Sequence, residues 1–328
     1  MSKVGVGIIG AGAFGRKHAA AYAALPHARV VGVYDVDRAK AERLARELSI
    51  PKVFDSAAEL AQDPFVEAVS VVTPEDRHVA PALAAIEAGK PTLVEKPLAL
   101  TVADAARIVS AAKERGVILL PGHILRFEIH YAAVYEEVRA GAFGRLLAIT
   151  ARRNRTKQLF ETYQRTHPVF ETMIHDIDTV LWLAGEFPRR IHAWSRNPGG
   201  KAHPNLVVAV LEFPSGLLAT LQTFWTLPEE GGLHIDDGLQ VVGTDMTVSL
   251  DLSRPVLAGW SKSGYYAPDL AYEPILMGRG VGALREELSY FIDCVIGKRQ
   301  PERVTAEDGL RAVEVAQAIV EAAEVERP

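Results

Sequence analysis

Two stretches of the chain carry side chains suited to moving a proton and steadying a negative charge. The first is Thr92-Leu93-Val94-Glu95-Lys96-Pro97, an apolar run that breaks at two charged residues and a proline. Such a run reads as a buried strand, and in open α/β sheets ligands collect at the carboxyl ends of strands, so Lys96 is placed to meet one. Glu95 either orients Lys96 or only pairs with it as a solvated surface couple. Pro97 stops the strand and sets a constrained turn. The second stretch runs from Pro168 to Ala184, a helix with proline tolerated in its first turn and Gly185 as its stop. At about 100° per residue, Phe170, Ile174, Ile177, Leu181 and Ala184 form an apolar stripe. Glu171, His175, Asp178 and Trp182 cluster beside it. Carboxylates at i−4 and i+3 can fix an imidazole's tautomer and stabilise its protonated form, as a general base for an alcohol proton requires. The competing reading is a solvated face with ordinary intrahelical pairs, against which Trp182 argues. With no cysteine and no second histidine near these carboxylates, no metal is expected.

A third constellation binds rather than reacts. Val4 to Ile9 reads as a buried strand that runs into Gly10-Ala11-Gly12-Ala13-Phe14-Gly15 and then an alanine-rich helix, Arg16 to Leu25. Glycines at these spacings allow a tight turn, close approach of backbone to a pyrophosphate, and packing of helix on strand, with the helix N-terminus facing the anion. A second strand, Arg29 to Tyr34, ends in Asp35, 20 residues past Gly15 and placed to accept from a ribose hydroxyl. That predicts NAD rather than NADP, with Arg38 a nearby cation that could turn toward a 2′-phosphate.

The elements that must position these residues alternate strictly: helix 38–48, strand 52–54, helix 56–62, strand 68–72, helix 76–88, the strand at Thr92, helix 101–115 and strand 117–120. These are βαβ units of a doubly wound parallel sheet. Thr73-Pro74 and His78 fall near its carboxyl edge, where His78 is either a capping or solvent-facing residue or a cofactor contact. Beyond Gly122-His123-Ile124-Leu125-Arg126-Phe127 the alternation stops. One helix to Ala140 is followed by strands at 146–154, 189–196, 206–213, 217–226, 235–242 and 246–251, then helices 284–296 and 305 to about 325. Tight turns between consecutive strands predict an open, mostly antiparallel mixed sheet. The expected organisation is an α/β Rossmann domain over 1–122 and an α+β domain over 123–328 that carries the substrate side and the oligomer contact.

Composition limits the partners. With 328 residues, 48% of them hydrophobic, the chain has core enough for two domains. A net charge of −5 without a basic run argues against nucleic acid or an anionic membrane, so a small molecule is expected. The one cysteine, Cys294, excludes an internal disulfide framework, and glycines interrupt the apolar N-terminus, so the chain reads as cytoplasmic. No stretch of about 18 apolar residues occurs, so no membrane span is expected.

Taken together, the Gly10 to Gly15 turn, Thr73-Pro74 with His78, Glu95-Lys96-Pro97, Gly122-His123 with Arg126-Phe127, and His175-Asp176-Ile177-Asp178 resemble the Gfo/Idh/MocA family of nicotinamide-dependent oxidoreductases over nearly the whole length. The resemblance implies a Rossmann domain and a second domain whose open sheet serves oligomerisation, as a homodimer or homotetramer. It also implies cofactor contacts at the glycine turn, Asp35, Thr73, Pro74, His78, Glu95, Lys96 and Arg126. Lys96 would lie at the nicotinamide and the substrate carbinol, with His175 as acid/base and Glu171 and Asp178 beside it. One departure is Glu171, where inositol dehydrogenases usually carry an aspartate four residues before the histidine. The implied reaction moves hydride between a sugar, cyclitol or polyol carbinol and the nicotinamide. A glycosidase that uses the cofactor transiently and a non-catalytic cofactor-binding regulator are the alternatives. On the substrate side, Arg152, Arg153, Arg155 and Lys157 either recognise an anionic group or are outward strand charge, and Trp260, Tyr265 and Tyr266 either stack on a sugar or meet another subunit.

Overall fold

The computed structural model describes residues 3–229, 235–253, 257, 259–262, 264–266, 274–277 and 279–325. In chain order the first part gives β1 (Val4–Ile9), α1 (Ala13–Ala24), β2 (Ala28–Tyr34), α2 (Arg38–Leu48), β3 (Lys52–Val53), α3 (Ala57–Gln62), β4 (Ala68–Val71), α4 (Val79–Glu87), β5 (Thr92–Glu95), α5 (Val102–Arg115) and β6 (Leu119–Gly122). The second gives α6 (Ile129–Arg139), β7 (Leu146–Thr156), α7 (Lys157–Thr162), α8 (Ile174–Ala184), β8 (Arg190–Arg196), β9 (Leu206–Glu212), β10 (Leu218–Leu227), β11 (Ile235–Gly243) and β12 (Thr247–Asp251). Two short hairpins follow, β13 (Gly259–Ser261) with β14 (Gly264–Tyr266) and β15 (Ile275–Leu276) with β16 (Arg279–Gly280). The last elements are α9 (Ala283–Val295), α10 (Ala306–Ala322) and β17 (Ala323–Val325).

The first six strands form a parallel sheet in the order β3-β2-β1-β4-β5-β6, the doubly wound arrangement expected of the alternation. Its register decides where chemistry can collect. Ile9 pairs with Tyr34 and with Val71, Val71 with Val94, and Glu95 with Gly122. The chain therefore leaves β1, β2, β4, β5 and β6 along one edge, which brings Gly10, Asp35, Thr73, Lys96 and His123 to the same border of the sheet. Thr101 and Thr305 cap their helices as expected, each hydroxyl accepting from the amide three residues on.

The compact units differ from a cut at residue 122. One comprises residues 1–127 with 275–313, the other 128–274 with 314–328. The segment carrying α9, assigned from sequence to the second domain, returns to the first. Leu288, Phe291 and Ile292 of α9 bury themselves in the same cluster as Val6, Ile8, Tyr22, Leu93 and Leu120. Each such side chain contributes roughly 1.5–3 kcal/mol on leaving water, which outweighs continuity along the chain. An apolar stripe states that a helix packs but not on what.

In the second unit a seven-stranded sheet runs β12-β11-β7-β10-β9-β8-β17. β7 with β10 and β8 with β17 are parallel and the other neighbours antiparallel, so the sheet is mixed as expected. β9 shows the strand period plainly: Val207, Ala209 and Leu211 are buried, while Leu206, Val208 and Val210 are half-buried on the other face. On that other face Trp194 and Leu218 remain 43% and 49% exposed. Three local readings are corrected. The last helix stops at Ala322 and the chain adds β17 as a parallel edge strand on β8. The helix expected over 76–88 splits into a 3₁₀ turn, Glu75–Arg77, and α4. The helix expected from Pro168 opens with a π-helical turn, Val169–Met173, before α8.

Candidate functional site

The glycine turn is built to admit an anion. Gly10 has φ 111°, a region closed to most side chains, and a Cβ there would collide with the Val72 carbonyl. A Cβ on Gly15 would strike the Gly10 carbonyl, so helix and turn approach closely only without one. A Cβ on Gly12 would meet nothing within 4 Å, and Gly12 precedes α1 with no side-chain cap. The first turn thus has no side-chain cap and open space beside Gly12, the condition under which a helix N-terminus takes a phosphate. A cavity of about 290 Å³ adjoins the turn, lined by Ala11, Gly12 and Ala13 with Arg16, Lys40 and Arg43 among its other residues. Asp35 already braces the turn: Oδ2 accepts from the Ala11 amide at 2.7 Å and Oδ1 from the Asp37 amide at 2.8 Å. A carboxylate has about four acceptor positions, so capacity for a ribose hydroxyl remains. Arg38 pairs with Glu42 and Asp55, away from that carboxylate. These residues fit a dinucleotide.

Behind Lys96 lies a buried polar chain that the sequence reading missed. Glu95 is buried, with Oε1 3.0 Å from His18 Nε2 and Oε2 accepting from the Lys96 amide at 3.2 Å. His18 Nδ1 lies 3.0 Å from Ser70 Oγ, and the Tyr22 hydroxyl is 3.5 Å from the same oxygen. Glu95 is therefore a structural anchor for the turn, not a solvated partner of Lys96. His18, Ala19 and Tyr22 share the buried face of α1, a signal the helical period offered but the glycine motif overshadowed.

His78 is not solvent-facing, and although it stands at the N-cap position of α4 its side chain makes no capping bond. Fully buried, its ring lies between two turns, with Nδ1 2.8 Å from the Pro97 carbonyl and Nε2 2.9 Å from the Thr73 carbonyl. Burial holds its pKa below the usual histidine value against the pull of those carbonyls. The ring thus sits between the Thr73-Pro74 turn and the Lys96-Pro97 turn, whose peptide bond is cis, and donates its N–H to one of the two carbonyls. Arg126, also buried, donates through Nη1 to the Arg303 carbonyl at 2.9 Å and to Asp308 at 3.0 Å. Those bonds fasten the start of α10, and a cofactor contact for Arg126 rests on the resemblance alone.

In the second unit the π turn changes the picture around His175. Glu171 lies in the π turn and His175 in α8, so their four-residue spacing crosses a junction of helix types where a uniform α-helical wheel does not hold. Both are half-buried, whereas Asp178 is buried. Trp182 stacks on Tyr135 of α6 with centroids 3.8 Å apart and 14° between planes. This face is partly packed rather than fully solvated.

The residue after His175 is fixed hard. Asp176 receives Arg153 from β7 at 2.9 Å through Nη2 and at 3.2 Å through Nε. Arg153 also donates to Asp237 at 2.8 Å and to the Tyr131 hydroxyl at 3.1 Å, while Arg155 reaches Asp237 at 2.5 Å. Burial pushes the Asp176 carboxyl above its ordinary range despite Arg153. Arg152 lies across Gly238 onto Asp236 and Asp251. Both readings of Arg153 therefore change: it is 2% exposed, and its charge faces two internal carboxylates rather than solvent or an anionic ligand. Trp260 pairs with Tyr265 in the backbone of the β13–β14 hairpin, but the side chains of Trp260, Tyr265 and Tyr266 lie outside the described residues. Among the described residues no three metal-capable side chains converge, and no helix is long and apolar enough to cross a membrane.

Comparison with known proteins agrees with this arrangement. A family profile described as "Oxidoreductase family, NAD-binding Rossmann fold" matches residues 4–123, and one described as "GFO/IDH/MocA C-terminal domain" matches 131–249. An inositol 2-dehydrogenase of Acidothermus cellulolyticus is 34% identical over 261 residues, covering 77% of this chain and 74% of that protein. Inositol 2-dehydrogenase 1 of Saccharopolyspora erythraea is 32% identical over 331 residues, covering 98% and 94%. The fold matches that of scyllo-inositol dehydrogenase from Lactobacillus casei, solved with NAD(H) and scyllo-inositol, at a TM-score of 0.84 and 20% identity over 98% of this chain and 97% of that one.

If the Arg153 cluster holds α8 on the sheet, Arg153→Met leaves Asp176 buried without its counter-charge. The expected cost is about 3–5 kcal/mol, read from urea or thermal unfolding of the full chain. Unfolding like that of the unsubstituted protein would show that the cluster does not anchor the helix.

Proposed function

Because this chain belongs to the GFO/IDH/MocA family of NAD-binding oxidoreductases, we propose that it is a dehydrogenase for a carbinol of an inositol or related polyol, using Lys96 and His175. The observation that carries the reading is the shared sheet edge, where the register brings the glycine turn, Asp35 and Lys96 to one border. When bound, NAD supplies the hydride acceptor. The amides of the Gly10 to Gly15 turn would hold its pyrophosphate and Asp35 a ribose hydroxyl, with the Thr73-Pro74 turn on the same border.

His175 takes the hydroxyl proton as general base, and Lys96 hydrogen-bonds the carbinol oxygen and offsets its developing charge. Those two roles are exchangeable. Glu171 and Asp178 orient the imidazole, Glu171 standing in for the shorter aspartate. The two relatives compared above are inositol 2-dehydrogenases, which favours net hydride transfer over transient cofactor use or regulation without turnover. The single cysteine, Cys294, is buried and free, as suits a reducing cytoplasm. The half-buried face of the second sheet, with Trp194 and Leu218, supports assembly through a second copy as a homodimer or homotetramer.

Three outcomes are expected. Lys96→Ala and His175→Ala should each lower turnover of the polyol by about 10²- to 10⁴-fold while leaving NADH affinity nearly intact, because neither residue belongs to the glycine turn. Near-full activity in the Lys96 variant, followed by reduced-nicotinamide absorbance with myo-inositol and a panel of polyols, would reduce Glu95-Lys96-Pro97 to a structural turn. The kcat/KM for NAD should exceed that for NADP by tenfold or more, about 1.4 kcal/mol, because Asp35 repels a 2′-phosphate and Arg38 is held by Glu42 and Asp55. Equal use of both would remove Asp35 from that role. Light scattering at micromolar concentration should give a multiple of the 35.6 kDa chain mass, and a monomeric mass would refute the assembly.

A further inference from the structure

Helix α1 presents one end to the glycine turn and, one turn further on, grips the strand end that carries Lys96. The polar chain through it has a consistent direction. Glu95 accepts from the Lys96 amide at Oε2 and from His18 Nε2–H at Oε1. The other ring nitrogen, Nδ1, is then free to accept from the Ser70 hydroxyl, whose oxygen in turn faces the Tyr22 hydroxyl. Serine, histidine and carboxylate in this order make a nucleophile when the serine meets substrate. Here Ser70, His18 and Tyr22 are all fully buried, so the chain cannot end in chemistry at the serine. It ends at the Lys96 backbone.

The carboxylate has little freedom to do otherwise. It lies over Gly122 of the neighbouring strand, where any Cβ would come 2.9 Å from Oε1. The Phe14 ring, from the glycine turn itself, packs on the His18 ring at 5.1 Å and 58°. From this geometry we infer that His18 is a positioning residue for Lys96: it fixes the Glu95 carboxylate that holds the Lys96 amide, so one helix sets both the dinucleotide turn and the catalytic turn. The inference rests on the reading of Lys96 as catalytic, but part of its test does not.

The test uses the full chain, NADH as the binding probe and myo-inositol, or the first polyol turned over, as substrate. His18→Leu removes the donor to Glu95, and His18→Gln supplies an amide donor in its place. His18→Leu is expected to lower kcat about 10- to 100-fold with NADH affinity within about twofold, the size of loss that misplacing a catalytic group produces. His18→Gln should recover most of it. Hydrogen exchange at the Lys96 amide should quicken in His18→Leu, and on a Lys96→Ala background His18→Leu should cost no further turnover. An unchanged kcat and Lys96 exchange in folded His18→Leu overturns the inference. So does a loss that adds fully to that of Lys96→Ala or that tracks weakened NADH binding. If Lys96→Ala itself keeps turnover, the catalytic reading fails instead, and the exchange measurement alone decides whether His18 fixes this amide. Should His18→Leu not fold, Ser70→Ala removes the donor to Nδ1, together with the oxygen that faces the Tyr22 hydroxyl, and is expected to show the same pattern at about three- to tenfold. Wild-type turnover and exchange in Ser70→Ala would then overturn the inference.

Discussion

A buried carboxylate must be hydrogen-bonded or it destabilises the fold, and the first unit is arranged around one such group, Glu95. Its two oxygens are met by His18 from α1 and by the amide of the next residue, Lys96. Meeting them commits three neighbouring strands. β5 supplies the carboxylate, β4 supplies Ser70 behind the histidine, and β6 must carry Gly122, because a side chain there would occupy the space of Oε1. The same helix must also keep Gly15 against Gly10, where a side chain would strike the Gly10 carbonyl. Cofactor turn and lysine turn are thus consequences of one local packing problem. His78 packs between the Thr73 and Pro97 carbonyls and donates its ring N–H to one of them.

The second unit solves a similar problem with different residues. There the buried carboxylate is Asp176, its base is Arg153, and the residue next to it in the chain is His175. In both units, then, the proposed catalytic side chain is adjacent in sequence to a buried acid gripped by a basic group from another element. Adjacency matters because a catalytic group acts through its own rotamer, whereas its backbone must not move. A carboxylate one residue away fixes the backbone without using the catalytic side chain. Asp237, shared between Arg153 and Arg155, extends the grip to β11 and keeps charge balanced in a region that excludes water.

Much of this was legible in the sequence, and the limits have physical causes. The alternation of 1–122 gave the doubly wound sheet because each βαβ unit is built from neighbours in the chain. The return of α9 was not legible, since its stripe of Leu288, Phe291 and Ile292 states that it packs but not on what. Glu95, Lys96 and His175 stood out by type and spacing, yet Glu95 could be read equally as a surface partner of Lys96 until burial was known. Arg153 shows the reverse error: an arginine in a run of charges looked like outward strand charge, while strand alternation turned it inward beside Asp176. The π turn at 169–173 has no period of its own in so short a segment, so the helical wheel carried straight through it.

The central claim is that the Lys96 turn is set by Glu95 and His18 before any cofactor arrives and that the reactive end of the cofactor comes to it. Crystal structures of the full chain without and with NADH test this most directly. The account predicts the nicotinamide ring in contact with Lys96 in the complex, and the Glu95–His18 and Glu95–Lys96 amide bonds intact in both structures. A nicotinamide bound away from Lys96, or a Glu95 carboxylate that leaves His18 in either structure, would contradict it.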